Sequence, residues 1–251
     1  MHGDESESGT AGQGVISNPP PRMPTRSAAL DAILGGGLAA SAVTDVFGAA
    51  ATGKTQLAFQ CALIFAQSKA ITQPLPTVLF VDCEGSFRPE RIVEMAESRG
   101  LSDQVAGIMD RISSVRPRSV EEQRRASDRL LVDERFSKCE LMIVDDVTRN
   151  FVSEFGSREE NLILRQFELA RYIRTLNQIA IKRRIAILVT NTVRHRMGSG
   201  ETETTGDIIA QFVLFRVRFS KDGRQRRAEV LQPFVSNPRA SFDIEVRGIV
   251  P

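Results

Sequence analysis

The sequence contains no tryptophan, one tyrosine and three widely spaced cysteines. Cys61, Cys83 and Cys139 form neither a CxxC pair nor a Cys/His spacing typical of a zinc site. We therefore expect a reduced, intracellular protein without disulfide bonds. In such a protein the cysteines are expected to serve as small buried hydrophobic residues.

Long apolar segments and a strong net charge are also lacking. No window approaches the roughly 18 uninterrupted apolar residues of a membrane span, and the first 20 residues are acidic and polar, unlike a secretion signal. These absences predict no membrane partner and a cytoplasmic location, or a nuclear one if the source is eukaryotic. The net charge is only +2, so any affinity for nucleic acid must come from local clusters.

The composition divides the chain into two parts. Residues 1–26 are rich in Gly, Ser, Pro and acidic residues and contain no aromatic residue, which predicts a flexible N-terminal tail. Residues 27–251 contain no further stretch long enough to be a linker, which predicts a single domain.

Within this domain, apolar runs alternate with helical periodicity. The near-continuous runs predict buried parallel strands at 43–47, Val78–Asp82, Leu141–Asp145 and 185–190. Helices are predicted over Lys54–Ala66 and 89–99, after a capping box at 119–122, and over 159–182 with Phe167, Ile173 and Leu176 in the core. After Gly206, alternating runs joined by an Asp-Gly turn predict antiparallel strands. The fold class is therefore α/β, a mostly parallel sheet flanked by helices with an antiparallel C-terminal extension.

Residues 48–55 carry the complete pattern G-x-x-x-x-G-K-[ST] between a predicted strand and a predicted helix. In such a loop the backbone N–H groups and the helix dipole bind phosphates, the lysine reaches the β and γ phosphates, and the last hydroxyl binds Mg²⁺. The pattern therefore predicts ATP and Mg²⁺ as ligands. We assign nucleotide binding to Gly48, Ala49, Ala50, Ala51, Thr52, Gly53, Lys54, Thr55 and Gln56, with Lys54 also catalytic and Thr55 also a metal ligand.

Two further predicted strands end in acidic residues. Asp145 ends one of them, where a carboxylate faces the phosphate loop and can hold Mg²⁺ through water. The other ends at Asp82 and Glu84, and one of these carboxylates is placed to activate water for attack on the γ-phosphate. In isolation such residues are also typical of ordinary loops after core strands.

Seven segments, in this order, resemble the ATPase core of the RadA-type recombinases, the archaeal and eukaryotic relatives of RecA. They are LDAILGGG, FGAAATGKTQLAFQ, VDCEGSFRPERI, LMIVDD, RQFELARYIRTL, ILVTNTV and GDIIAQ. The resemblance spans roughly residues 26–250 and implies a RecA-like P-loop ATPase domain. It also implies that Glu84 polarises the attacking water, that Arg91 stacks on adenine and that Asp145 is associated with Mg²⁺.

The same resemblance implies that single-stranded DNA binds at 148–160 and 193–207, which are mobile until DNA and ATP are present. The candidate contacts are Arg149, Arg158, Arg194 and Arg196. The predicted C-terminal hairpin adds six basic side chains, which either neutralise phosphates or protect a sheet edge from pairing. They are Arg216, Arg218, Lys221, Arg224, Arg226 and Arg227.

The chain departs from this family's pattern at several positions. Thr192 follows Asn191, where the family has a glutamine that senses the γ-phosphate, and Asp146 replaces a small residue. The second DNA loop is short and carries Glu201 and Glu203, and residues 1–46 contain no aromatic residue of the kind that docks one family protomer on the next. These departures resemble a recombinase paralogue of the RadB kind.

The sequence therefore predicts an ATP-binding, DNA-associated protein of homologous recombination and repair with a slow ATPase. It is expected to act as a paralogue or mediator that binds a RadA-type recombinase or another paralogue. An active strand-exchange recombinase is the first alternative. A clock-type RecA-like ATPase without DNA function is a more distant one.

Overall fold

A nine-stranded sheet forms the centre of the computed structural model, which describes residues 20–67, 75–156, 159–196, 200–202 and 206–251. The strands are β1 Arg22–Met23, β2 Leu38–Ala39, β3 Ala42–Gly48, β4 Val78–Asp82, β5 Ile112–Val115, β6 Leu141–Asp145, β7 Ala186–Thr192, β8 Arg194–Arg196, β9 Gly200–Thr202, β10 Phe215–Asp222, β11 Gln225–Gln232, β12 Arg239–Glu245 and β13 Gly248–Val250. The α-helices are α1 Ala28–Ile33, α2 Lys54–Ala66, α3 Pro89–Glu97, α4 Val105–Asp110, α5 Val120–Val132, α6 Arg149–Phe155, α7 Glu159–Arg183 and α8 Gly206–Ala210.

The order of strands across the central sheet is β13-β12-β11-β10-β3-β7-β6-β4-β5. The six neighbouring strands β10, β3, β7, β6, β4 and β5 pair in parallel. On the other side of β10, the strands β11, β12 and β13 continue the sheet with antiparallel pairing. This arrangement confirms the predicted α/β class and its antiparallel extension. The sequence did not predict β5, because this edge strand is only partly buried and has no continuous apolar run.

Helices cover both faces of the parallel part of the sheet. Side chains alternate along β4, so Phe80 packs in one core with α1 to α4 while Leu79 and Val81 pack in a second core with α5, α6 and α7. Burial on both faces explains why the parallel strands have nearly continuous apolar sequences. Their carboxyl ends all lie at one edge of the sheet.

The helix boundaries follow the predicted caps closely. The Ser119 hydroxyl accepts a hydrogen bond from the Glu122 backbone N–H, as a capping box requires. The Glu122 carboxylate accepts from the Arg118 backbone N–H, one residue before the cap. The helix predicted over 89–99 ends at Glu97, and Gly100 follows in the left-handed conformation with φ 74°.

Helix α7 buries one face in the core and exposes the other. Ile173 and Leu176 are buried as predicted, but Phe167 is 61% exposed and the prediction that it belongs to the core is wrong. Ile163, one turn earlier, is also exposed. Arg165 and Leu169, two residues before and after Phe167, are buried. Phe167 precedes the buried Leu176 by nine residues, about two and a half helical turns, so it lies on the opposite face of α7.

Residues 20–26 are ordered, in contrast to the predicted tail. Strand β1 pairs with β2, and the buried Thr25 donates to the Asp31 carboxylate through its N–H and its hydroxyl, at 2.8 and 2.7 Å. Gln60 Nε2 of α2 also donates to the Thr25 carbonyl at 2.8 Å. The contacts come from distant residues, so composition alone could not predict them. The rest of the predicted tail, 1–19, lies outside the described residues.

The three cysteines are free and buried, which confirms the prediction for them. Burial raises the pKa of the Cys139 thiol to about 12, so the thiol stays protonated at neutral pH. Among the described ranges, no helix combines the length and the apolar character that a membrane span requires.

Candidate nucleotide-binding site

The phosphate loop joins the carboxyl end of β3 to the first turn of α2. Gly48 pairs with Phe219 of β10, and a Cβ at position 48 would lie 2.1 Å from the Phe219 carbonyl oxygen, so no larger residue fits. Gly53 is the residue that precedes α2 and has φ 110°, a value that L side chains rarely adopt. The two glycines of the motif thus allow a close strand approach and a left-handed turn into the helix.

Lys54 is buried inside the loop that it terminates. Its Nζ donates to the carbonyl oxygens of Gly48 and Ala49 at 2.8 and 2.9 Å, and the Thr52 hydroxyl also donates to Ala49 at 2.9 Å. Burial lowers the pKa of Lys54, although the nearby carboxylates of Asp146, Asp145 and Glu84 favour its charged form. The ammonium group therefore lies where the loop would enclose phosphates.

Asp145, at the end of β6, is the point where several elements meet. Its Oδ2 accepts from the Thr55 hydroxyl at 2.9 Å and from the Ser86 hydroxyl at 3.0 Å, and its Oδ1 accepts from Thr190 of β7. Burial raises the pKa of Asp145, while these hydroxyl donors partly oppose the shift. The structure therefore brings together Thr55 and Asp145, which the sequence predicted as metal residues.

This pair also fits the chemistry of a magnesium site. Mg²⁺ usually keeps several waters and binds through one or two protein oxygens together with substrate phosphates. The Thr55 hydroxyl and the Asp145 carboxylate provide such oxygens beside the phosphate loop. No group of three or more His, Cys, Asp or Glu residues suited to a metal occurs in the described part of the chain.

Asp82 organises the turn that carries Glu84. Its carboxylate accepts from the backbone N–H groups of Gly85, Ser86 and Phe87 at 2.8, 2.9 and 3.1 Å. These bonds hold the Asp82 carboxylate within its own turn. Glu84 is exposed, and its Oε2 lies 3.4 Å from Nε of Arg149.

Arg91 and Gln56 lie together on the other side of the loop. Arg91 Nε donates to Gln56 Oε1 at 2.9 Å, and its two terminal nitrogens donate to the carbonyls of Glu245 and Val246 at 2.7 and 2.8 Å. Arg91 thus ties α3 to the end of β12. Stacking of its guanidinium on adenine remains a prediction.

The predicted DNA segments contain regular structure. Helix α6 occupies 149–155 and is anchored by the buried Phe151, whose ring lies 5.7 Å from that of Tyr172, and by Asn150, which donates to Gln123 Oε1 at 3.0 Å. The expectation that all of 148–160 is mobile is therefore wrong for 149–155. The buried phenol of Tyr172 is also held, 2.7 Å from the Ser127 hydroxyl.

The candidate arginines of these segments are separated along the chain. Arg149 is the first residue of α6, and its ion pair links this helix to Glu84. In the second segment, Arg194 and Arg196 belong to β8, which pairs antiparallel with β9. Arg158 lies outside the described residues.

The basic C-terminal hairpin is less uniform than its sequence suggests. Arg216 is buried and pairs with the fully buried Asp45 at 3.1 Å, so it does not serve as a surface contact for phosphates. Glu229 accepts from both Arg218 and Arg239, and these bonds, Arg239 first, lower the pKa of its carboxyl. Part of the predicted positive charge is thus neutralised within the sheet.

Sequence reasoning missed two of the hydroxyls around Asp145. Ser86 and Thr190 reach it from the end of β4 and from β7, which the strand order places on either side of β6. Thr190 was the last residue of a predicted strand, but the sequence did not indicate which strand lies next to it in the sheet. A correct order of strands would have identified both.

Comparison with known proteins identifies the family of this chain. Residues 21–251 match the family described as Rad51. The chain is 30% identical over 246 residues to DNA repair and recombination protein RadA of Methanococcus voltae, covering 91% of this chain and 75% of that protein. It is 34% identical over 244 residues to the Meiotic recombination protein DMC1 homolog of Glycine max, covering 91% of this chain and 68% of that relative. The chain therefore belongs to the Rad51 family of RecA/RadA-type recombinases.

Proposed function

We propose that the protein is an ATP-binding, DNA-associated protein of homologous recombination and repair with a slow ATPase, acting as a recombinase paralogue or mediator. The observation that carries the proposal is the contact between Thr55 and Asp145 at 2.9 Å. It joins the phosphate loop to the end of the neighbouring strands, which is where α/β sheets bind ligands. The similar proteins named for DNA repair and recombination support the biological role.

Each residue of the site has a distinct task in this proposal. The backbone N–H groups of the loop and the Lys54 ammonium bind the phosphates, and Thr55 with Asp145 holds Mg²⁺. When bound, Mg²⁺ neutralises negative charge on the phosphates. Glu84 orients water for attack on the γ-phosphate, because its carboxylate is exposed beside the loop while Asp82 is occupied.

Two features favour slow hydrolysis, and the first of them also offers a limited response to nucleic acid. The Glu84 carboxylate is paired with Arg149, so it is partly held away from the role of orienting water. Thr192 ends β7, and its side chain is too short to act as the glutamine sensor that the family resemblance implies. Nucleic acid that binds Arg149 would compete for this arginine and release Glu84.

Single-stranded DNA is the proposed nucleic acid. Arg149, Arg158, Arg194 and Arg196 are the proposed contacts, through phosphates. A RadA-type recombinase or another paralogue is the proposed protein partner. Active strand exchange is the alternative function, and it is favoured by the alignment of 91% of the chain with RadA and DMC1 proteins.

The decisive experiment measures single-stranded DNA binding with and without ATP and Mg²⁺, and the size of the complex formed. Binding that requires ATP and yields small complexes supports the mediator, whereas long regular filaments and strand exchange by this chain alone would establish the alternative. Lys54→Ala is the control, because it removes the ammonium group that binds the phosphates and should therefore abolish ATP-dependent DNA binding. Absence of DNA binding in every nucleotide state would contradict both the mediator and the strand-exchange recombinase, and would favour the clock-type ATPase.

A further inference from the structure

The antiparallel extension forms one wall of the cavity above the phosphate loop. This cavity has a volume of about 440 Å³. Its lining residues are Ala51, Gly53, Lys54, Thr55, Gln56, Arg226 and Ile244. The first five belong to the loop and α2, whereas Arg226 and Ile244 come from β11 and β12.

The packing of these strands against the loop is direct. A Cβ added to Gly53 would lie 2.9 Å from Ile244 Cδ1 and 3.4 Å from Phe242 Cε2. Phe242 is in turn the partner of Arg226 in the β11–β12 ladder. The position of Arg226 beside the loop is therefore fixed by strand pairing, not by the conformation of a long side chain alone.

The pleat of β11 separates Arg226 from its basic neighbours. Ala228 and Val230, two and four residues later, are buried in the core beneath the sheet, so Arg226 lies on this inner face. Arg227 and Glu229 lie on the opposite face, where Arg227 is 3.8 Å from Asp222. One arginine of the hairpin thus points to the nucleotide cavity while the next points away from it.

The donors of Arg226 are poorly satisfied within the described part of the chain. Its Nε is buried without a hydrogen-bond partner, and Nη1 reaches the Arg224 carbonyl only at 3.5 Å. A buried charged donor without an acceptor is unfavourable, so such a group is typical of a site that an anion completes. Because Lys54 and the amino end of α2 line the same cavity, the matching anion is a polyphosphate.

We propose that Arg226 is a phosphate-binding residue of the nucleotide site, supplied by β11 of the same chain. This inference rests on the proposed ATP site and adds a second cation to Lys54. Arg226 closes the cavity from the side opposite α2 and binds the polyphosphate of the nucleotide by charge-assisted hydrogen bonds. Affinity should then depend on the phosphates much more than on the base.

The test compares Arg226→Ala and Arg226→Lys with Arg227→Ala, a matched control on the same strand but the opposite face. Equilibrium binding is measured with ATP, ADP and inorganic triphosphate in the presence of Mg²⁺ and without DNA. Loss of a charge-assisted contact should weaken binding of all three ligands about tenfold or more in Arg226→Ala, with partial recovery in Arg226→Lys. Arg227→Ala should bind them like the wild type.

Two further measurements separate the possible failures. Thermal unfolding without ligand should show that Arg226→Ala is as stable as the wild type, because the change removes a buried donor that has no partner. If the wild type binds ATP and Lys54→Ala does not, equal affinities of Arg226→Ala and Arg227→Ala would overturn the role of Arg226 and leave the ATP site intact. If the wild type binds neither ATP nor inorganic triphosphate, the proposed function and this inference are both wrong.

Discussion

Arg149 Nε lies 3.4 Å from Glu84 Oε2, so the first residue of α6 is paired with the carboxylate that we propose to orient water. Both side chains are 48% exposed. Ion pairs at this level of exposure contribute at most about 1 kcal/mol, and phosphates of a nucleic acid could replace the carboxylate without difficulty. The pair therefore provides a physical link between the proposed nucleic-acid segment and the nucleotide site.

Breaking this pair should raise the basal ATPase. We expect Arg149→Ala to increase DNA-independent phosphate release by up to about fivefold. The reason is that the ion pair stabilises the state in which Arg149 holds Glu84 by at most about 1 kcal/mol. The same variant should bind single-stranded DNA more weakly and with a shallower salt dependence. Arg125→Ala, which breaks a more exposed pair with Glu121, is the control and should change neither quantity. A lower basal rate in Arg149→Ala would contradict the link.

Removing the charge of Glu84 should affect only the chemical step. Glu84→Gln keeps the size of the side chain but cannot accept the proton of water, so ATP binding should persist while hydrolysis falls by about a hundredfold or more. Nucleotide titration and single-turnover phosphate release measure the two effects separately. Hydrolysis at the wild-type rate would assign the water to another group.

Asp145 should make the stability of the ligand-free protein depend on pH. Burial raises its pKa, so the native state binds a proton more strongly than the unfolded chain does. The free energy of unfolding should therefore fall as pH rises from about 4, the value of an unperturbed Asp, to the raised pKa of Asp145. Denaturant unfolding of Asp145→Asn should lack this part of the decline. Asp222→Asn, at a position where the carboxylate is 80% exposed, should retain it, and identical pH profiles for both variants would refute the assignment.

The buried pair of Asp45 and Arg216 should matter greatly for stability. Arg216→Ala leaves the fully buried Asp45 carboxylate without this partner and removes a cation held 4.2 Å from the centre of the Phe47 ring. We expect a loss of about 3–5 kcal/mol in the free energy of unfolding, measured by denaturant titration. The double variant Asp45→Leu with Arg216→Met should recover much of the loss, because no uncompensated charge remains. A single variant as stable as the wild type would show that Asp45 is satisfied by other groups.

The phosphate loop could be predicted from the sequence because its geometry is set by adjacent residues. Its glycines, Lys54 and Thr55 occupy fixed positions between a strand and a helix, and the structure places them together. The surroundings of Asp145 could not be predicted in the same way. Ser86 and Thr190 reach it only through the order of the strands, which local patterns do not determine.

Burial and order near the ends of elements were also hard to predict. Phe167 was grouped with Leu176 by steps of three residues, but such steps drift around the helix, and Phe167 lies on the opposite face of α7. Residues 20–26 have the composition of a tail, but distant partners such as Gln60 hold them in place. For residues 20–26 the deciding contact is therefore made by a residue far away in the sequence.

The position of Tyr172 has a spectroscopic consequence. It is the only tyrosine of a chain without tryptophan, and it is fully buried between α5 and α6, 2.7 Å from the Ser127 hydroxyl and 5.7 Å from the Phe151 ring. The intrinsic emission of the protein under excitation of its phenol therefore comes from one place, beneath the helix that begins at Arg149. A ligand that displaces α6 would change this emission directly, whereas one confined to the phosphate loop would leave it almost constant. The unlabelled protein therefore carries its own optical reporter for the proposed nucleic-acid segment.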